Sequence, residues 1–274
     1  MRLHRAFTAL AALLALAACG ENAVQDLSGP APAAQIRFFN FGVGSPAVHF
    51  YDGTTKLTAS TSATCQAAKN PPVTATDSMC LATGAEATAG IGYGGVSTGG
   101  WYMGIDAGQH TLQGRLMSGA DKGTAISSLP ATIAAGKIYS FFQSGIYSAA
   151  TKTVDAFIVE DNFPAQFDWS TAYIRFVNTI GNSQPLMLTA TNTVTGQVVA
   201  IGGATAYKGA TDFVKIAPGA YDFAASYAGG VTKIVRANLG LEPGFVYTIA
   251  AIGDITVTST TAATRPQLDI TRSR

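Results

Sequence analysis

The sequence predicts an all-β protein, two tandem antiparallel β-sandwich domains of Ig-like or transthyretin-like outline behind an N-terminal export signal. Three observations lead there. Apolar runs are short, rich in Phe, Val, Ile and Tyr, and are broken by Gly, Pro or Asp turns about every ten residues. No stretch after the N-terminus keeps the 3.6-residue apolar period of a long amphipathic helix. The chain also repeats itself, with the same markers recurring in the same order.

The duplication is read from three pairs of segments. Ile36-Arg37-Phe38-Phe39-Asn40 matches Ile174-Arg175-Phe176-Val177-Asn178. "GIDAGQHTL" (104–112) matches "KIAPGAYDF" (215–223), and "ATIAAGKIYSFFQSG" (131–145) matches "LGLEPGFVYTIAAIG" (239–253). The separation is 138 residues at Ile36/Ile174, 111 at Gly108/Gly219 and 108 at Tyr139/Tyr247. The first copy therefore carries 27 extra residues between its first and second markers. The organisation that follows is a signal segment (1–18), a tether (19–34), repeat 1 (35–162) with an insertion at 58–92, a junction (163–171) and repeat 2 (172–274).

The N-terminus opens Met1-Arg2-Leu3-His4-Arg5 and continues into the uncharged apolar run "AFTALAALLALAA". A positive start and a short apolar core read as a secretory signal, too short for the about 20 apolar residues of a membrane span. The run ends Leu16-Ala17-Ala18-Cys19, which resembles the bacterial lipobox. That resemblance implies cleavage before Cys19, a thioether-linked lipid on its thiol, and anchoring that holds when two or more acyl chains are attached. Gly20, where Asp would mark inner-membrane retention in that class, points to the outer membrane, on its periplasmic or its surface face. The small, polar, Pro-containing "GENAVQDLSGPAPAA" (20–34) reads as a flexible tether.

Cys65 and Cys80 remain. In an exported chain a leftover pair is expected to form a disulfide, and closing this polar, Pro-Pro-containing loop would contribute about 3 kcal/mol. Metal and redox cysteines stand closer together, and no histidine lies nearby. The pair falls inside the excess of repeat 1, so it staples an insertion that repeat 2 lacks. The insertion is either a functional loop or a tolerated one.

Local patterns supply the strands. "IRFFNF" and "IRFVNT" open the repeats. "AVHFYDGTTKL" alternates and turns at Asp52-Gly53, a hairpin signal. "DFVKIAPGAYDFAASY" reads strand, Pro-Gly turn, strand. "IYSFFQSG" and "FVYTIAAIG" are near-continuous apolar strands suited to a sandwich interior.

These segments resemble the domain of unknown function 4397 family of bacterial exported and lipid-anchored proteins. The opening strands match its Val-Arg-Val-x-His/Asn, "VHFYDGT" its Asp-Gly turn, "DAGQHTL" and "APGAYDF" its "pAGxYxv", and "IAAGKIYSFFQSG" and "LEPGFVYTIAAIG" its "LxaGxxYTvxxxG". The resemblance covers most of 35–270 apart from the insertion. Repeat 1 lacks the Asp-Val-Tyr after the opening strand, and repeat 2 lacks Asp-Gly. The resemblance implies a β-sandwich and an envelope location. It supplies no activity and no catalytic residue.

Composition narrows function. A net charge of +1 and 12% charged residues, against a usual share of about 25%, give no basic surface for nucleic acid. Gly95-Val96-Ser97-Thr98-Gly99 fits the G-x-S-x-G nucleophile elbow, but glycines flank it and no helix follows. Gly90-Ile91-Gly92-Tyr93-Gly94-Gly95 fits G-x-G-x-x-G, again with no helix to receive a pyrophosphate. His49 and His110 lack a second ligand, so no metal is expected and no cofactor. Asp155, Glu160 and Asp161 surround a strand end, either as a solvated face or as a weak calcium site.

Aromatics are the remaining candidates. Trp101-Tyr102, and Phe163, Phe167 and Trp169 near the junction, would offer flat faces to a sugar or a partner if exposed. Burial in a core or between the repeats is the favoured alternative, above all for Trp169. Trp101 aligns with Asp212, so it is no shared core position. The expectation is a lipid-anchored, non-catalytic binding, adhesion or structural module, with Cys19 as anchor and Trp101, Tyr102 and the insertion as interaction residues. Its partner is a protein or a glycan. The alternatives are a periplasmic assembly partner that docks another envelope protein and a hydrolase of envelope polysaccharide or ester.

Overall fold

The structure, a computed structural model, describes residues 33–59 and 84–273. Cys19, Cys65 and Cys80 lie outside the described residues, and with them the expected lipidation and disulfide.

The architecture is all-β. The first half contributes β1 (Ala34–Asn40), β2 (Val48–Asp52), β3 (Thr55–Lys56), a one-turn helix α1 (Gly84–Ala89), β4 (Gly95–Val96), β5 (Met103–Ile105), β6 (Gly108–Leu116), β7 (Ala125–Ile133), β8 (Ile138–Ser148) and β9 (Thr153–Glu160). The second contributes β10 (Ala172–Asn178), β11 (Leu186–Asn192), β12 (Val198–Thr205), β13 (Val214–Ile216), β14 (Gly219–Tyr227), β15 (Thr232–Leu241), β16 (Val246–Ile252) and β17 (Gln267–Arg272). Each half makes two sheets. In the first they run β4-β1-β8-β9, with β5 also on β1, and β3-β2-β6-β7. In the second they run β13-β10-β16-β17 and β12-β11-β14-β15. The Asp-Gly signal is realised as the β2–β3 hairpin, where Asp52 pairs with Thr55.

One feature departs from an antiparallel reading. β1 pairs parallel with β8 and β10 parallel with β16. In each half the chain leaves the first strand, passes twice to the other sheet and back, and returns beside its start. A parallel neighbour needs a long crossover, and the intervening strands are that crossover. Near-continuous apolar strands such as "FVYTIAAI" report burial on both faces; they carry no information on direction.

That double burial is the central fact of the packing. Along β1, Ile36 and Phe38 point into the first sandwich, where Phe38 stacks on Phe50 at 4.8 Å and meets Phe141 at 5.5 Å. Ile174, Phe176 and Ile249 do the same in the second sandwich with Leu188 and Phe223. The alternate residues are buried as well. Phe39, Phe41, Phe142 and Phe157 of the first half meet Val177, Ala250 and Ile252 of the second in a third core. The layers therefore run outer sheet, inner sheet, inner sheet, outer sheet. Each fully buried Phe contributes about 1.5–3 kcal/mol, so the third core joins the two sandwiches firmly.

Both outer sheets end in strands that discourage further pairing. β7 carries the exposed Pro130, which has no N–H to offer. β15 breaks register between Phe223 and Tyr221, where Asn238 takes φ +53°.

Candidate functional site

The Arg of the repeated Ile-Arg-Phe-x-Asn motif sits at an alternate position, so it faces the seam between the inner sheets. Arg37 and Arg175 are both fully buried there. Arg37 Nε donates to Ser140 Oγ on its own sheet at 2.9 Å, and its Nη2 crosses to Thr248 Oγ1 at 3.1 Å. Arg175 mirrors this. Its Nε donates to Thr248 Oγ1 at 3.1 Å and its Nη2 crosses to Ser140 Oγ at 3.3 Å. One carboxylate serves the pair. Asp161 lies 2.5 Å from Arg175 Nη2 through Oδ1 and 3.7 Å from Arg37 Nη2 through Oδ2. Its Oδ2 also accepts from Ser140 Oγ at 2.6 Å and from the Tyr102 hydroxyl.

Aromatic faces complete the cluster. Arg37 lies over Tyr102 at 4.6 Å and Arg175 over Phe213 at 4.9 Å. Phe163 stacks on Phe213 at 5.2 Å and meets the edge of Tyr102. Burial pulls the Arg37 guanidinium below its ordinary value, against the raising effect of Tyr102 and Asp161. Burial also pushes the Tyr102 phenol far above the usual range, so it stays a neutral donor. The arrangement clamps two sandwiches; it offers no open chemistry. Sequence reasoning missed it, although an arginine at the centre of an otherwise apolar strand, repeated at the same place in both copies, is the signal that points to a paired buried charge.

The other sequence candidates fall as follows. Ser97 is fully buried, and its Oγ accepts from Phe38 N at 3.0 Å. Thr211 Oγ1 accepts from Phe176 N at 3.0 Å in the second half. Both hydroxyls fill the same gap in the ladder of the first inner strand, which accounts for Ser97 without catalysis. Asn40 and Asn178 are also equivalent, donating to Ile91 O and Thr205 O at 2.9 and 3.1 Å. In the Gly-rich run Ile91 enters the core and Gly94 takes φ +79° in the turn to β4. His110 contacts Asp52 Oδ2 at 2.7 Å and Asp106 O at 2.9 Å. His49 is buried in β2. The supposed acidic patch is dispersed, because Asp155 pairs with Lys208, Glu160 with Lys137 and Asp161 with the arginines. No group of three or more potential metal ligands occurs among the described residues.

The aromatics divide. Tyr102 is half-buried in the clamp. Trp169 was expected between the repeats, but it is 67% exposed beside Phe167, capping the turn at Gly244. Its place just before β10 puts it at the end of the sandwich, away from the seam. Trp101 is 69% exposed. Strand equivalence explains why. Ser97 matches Thr211 and Met103 matches Val214, so three residues, Thr98-Gly99-Gly100, are extra in the first half. All three take positive φ (50°, 65° and 97°), and the turn they make lifts Trp101 from the surface. Gly100 is required there. A Cβ would lie 2.9 Å from Thr271 Cγ2 of the second sandwich, and Gly100 O accepts from Arg37 Nη1 at 3.4 Å.

The longer excess ends at α1, and the two insertions meet. Glu86 Oε2 accepts from Thr98 N at 2.8 Å. The carboxylate also faces the Ala59 N–H, while its Oε1 has no hydrogen-bond partner among the described residues. Burial raises the Glu86 pKa, opposed by Thr98, Ala59 and Lys56. Both segments special to the first half thus converge beside Trp101.

No protein-family model and no curated relative matches the chain. Among solved structures it is similar to the Bacillus anthracis TIE protein (12% identity over 81% of this chain and 34% of that one, TM-score 0.23). It is also similar to a leucine-rich repeat protein from Bacteroides thetaiotaomicron (12%, 82% and 26%, TM-score 0.21). A third is a putative cell adhesion protein from Bacteroides ovatus (13%, 90% and 97%, TM-score 0.22). The chain spans about a third and a quarter of the length of the first two.

Proposed function

We propose that this chain is a lipid-anchored protein of the bacterial cell envelope, held at the outer membrane through Cys19, that works as a non-catalytic binding or adhesion module. Its ligand face is the edge formed by Glu86, Thr98 and Trp101, and its ligand is a glycan or a partner protein. The observation that carries this reading is Trp101, a large indole 69% exposed on a turn present in one repeat only and braced by the other insertion. A flat indole at the surface offers a face on which a sugar or a partner's side chain can stack, and the clamp beneath gives it a fixed platform. Ser97, enclosed and already hydrogen-bonded, supports the non-catalytic reading. The envelope location rests on the lipobox, and membership of the domain of unknown function 4397 family rests on the repeated motifs.

The test uses the full chain in cells, wild type against Trp101→Ala. Crosslinked partners and retention on a glycan panel are expected to fall at least tenfold in the variant, with the melting temperature unchanged. Equal capture by both proteins refutes Trp101 as the ligand face. Cys19→Ala is expected to release the protein from the membrane fraction; continued sedimentation with membranes overturns the anchor.

A further inference from the structure

Strand direction gives the molecule two distinct ends. β1 starts at Ala34 and its parallel neighbour β8 at Ile138, where Gly136 N donates to Ala33 O. β8 is tied to β10 of the second sandwich at two levels. Ser140 Oγ accepts from Arg175 Nη2 at 3.3 Å, and further along Gly145 N donates to Thr179 O at 3.3 Å. The inner strands β1, β8, β10 and β16 therefore run the same way, and all four start at one end of the molecule. At that end lie the turns Ala134-Ala135-Gly136, Thr193-Val194-Thr195-Gly196, Ala217-Pro218 and Glu242-Pro243-Gly244, with Trp169 just ahead of β10.

The tips of this end are apolar. Trp169 is 67% exposed, held by Phe167 and by the turn at Gly244, and Val194 is 88% exposed. Lys137 and Lys215 each sit 2.6 Å from a carboxylate, Glu160 and Asp168. The opposite end also exposes Ile146 and Val231, but it has no tryptophan, and its turn 117–124 carries the exposed Asp121 and Lys122. The chain enters the described residues at Ala33, at the Trp169 end. From Cys19 to Pro32 it reaches at most about 50 Å when fully extended. To bring the opposite end to a membrane, that segment would have to run back beside β8, whose 11 residues span about 36 Å.

We propose that the Trp169 end rests on the phospholipid surface to which Cys19 anchors the chain, with the indole seated among the headgroups and Val194 at the acyl boundary. This contact rests on the lipid-anchor reading above. An indole suits the membrane–water interface because its ring is apolar and its N–H keeps a polar partner there. One indole and one valine bury too little apolar surface to hold a membrane alone. A short tether supplies an effective concentration in the millimolar range, at which a weak contact is occupied. With Lys137 and Lys215 paired, the contact does not depend on anionic lipid. Trp101 precedes β5, where Met103 pairs with Ile36, so it lies on the flank and stays open to a ligand.

The chain has two tryptophans, so each can be read alone. Both are about two-thirds exposed, and exchange of either to Phe spares the core. The lipidated full chain, purified from membranes, is reconstituted into phosphatidylethanolamine–phosphatidylglycerol vesicles that contain phospholipid brominated near the headgroup end of its acyl chains. In Trp101→Phe, the remaining Trp169 is expected to lose about half of its fluorescence to the bromine. In Trp169→Phe, the remaining Trp101 is expected to lose little. Flotation of the vesicles reads the anchor separately. Protein that floats with Trp169 unquenched overturns the docking and leaves the anchor standing. Protein that does not float overturns both. Equal quenching of the two tryptophans would mean that the body lies on its flank, and would overturn the end-on contact.

Discussion

The two sandwiches share a frame and differ in what is attached to it. Ile, Phe and Asn of the opening motif do the same work in both, and Ser97 and Thr211 fill the same ladder gap. Tyr93 and Tyr207 occupy the same turn after the edge of the outer sheet. The differences lie at the seam and at one end. Asp161 donates its backbone N–H to Ile138 O in the first half, and Ser273 donates to Val246 O in the second. Their places are equivalent, yet only one carries a charge. A duplicated face packed against its own copy forms a pseudo-two-fold interface, and two arginines brought together by that symmetry repel. Breaking the symmetry at one residue supplies the counter-charge, and the single break also breaks the symmetry of the surface above it, where Tyr102 and Phe213 differ.

The largest effect follows from that break. Asp161→Ala leaves two buried guanidinium groups with hydroxyl partners and no anion. Removing one partner of a buried ion pair costs about 3–5 kcal/mol. Ser273→Ala loses one hydroxyl contact, 3.3 Å from Thr248 Oγ1, worth about 0.5–1 kcal/mol. Urea unfolding of the two variants should separate them clearly. Equal destabilisation would mean that the clamp is held by its hydroxyls and aromatic faces, with the carboxylate incidental.

A smaller effect distinguishes the two tyrosines. Tyr207 reaches across the seam, its hydroxyl 3.0 Å from Ser144 Oγ and 3.2 Å from Asp155 Oδ2. Among the described residues Tyr93 has no hydrogen-bond partner for its buried hydroxyl, although Arg265 and Asp254 lie near. Burial pushes both phenols up to about 12, so both are neutral at ordinary pH. Tyr207→Phe is expected to cost about 1 kcal/mol. Tyr93→Phe removes an unsatisfied polar atom and is expected to be neutral or stabilising by a similar amount. Thermal unfolding of the pair decides it, and a loss at Tyr93 equal to that at Tyr207 would restore the symmetry that the geometry denies.

The frame was legible in the sequence because it is written in local alternation and in repetition. The duplication, the strand positions and the Asp52-Gly53 hairpin all depend on residues close in sequence. The clamp was not legible. Arg37, Ser140, Asp161, Arg175 and Thr248 come together from five segments, and only the face-to-face packing of the inner sheets joins them. The same packing explains why the apolar strands show no alternation and why Trp169 was misplaced, since a junction aromatic has no periodicity to reveal which surface it meets. Trp101 and the insertion were each singled out from the duplication offsets. Their meeting through Glu86 and Thr98 depends on a turn of three positive-φ residues, and sequence spacing does not reveal its direction.

Glu86 gives the smallest expected effect and the most specific to one sandwich. Burial, the dominant influence, raises its pKa from 4.5 in the folded chain, and the Thr98 and Ala59 amides and Lys56 only partly offset this. The folded state therefore holds this proton more tightly than the unfolded state does. Its contribution to stability is full below pH 4.5 and is lost as pH rises through the raised folded value. Burial also raises the pKa of the half-buried Asp269. The informative quantity is thus the difference between the wild-type and Glu86→Gln stability curves. That difference should change as pH rises above 4.5, in favour of the Gln variant, and should level off once pH has passed the raised folded value. A Gln side chain still offers an oxygen to Thr98 N, so the turn beneath Trp101 stays seated and the comparison isolates the charge. A pH-independent difference would mean that the Glu86 carboxylate is as well solvated in the folded chain as in the unfolded one. The end of the insertion would then be held to the turn at Thr98 by shape and hydrogen bonding, with no cost from the charge.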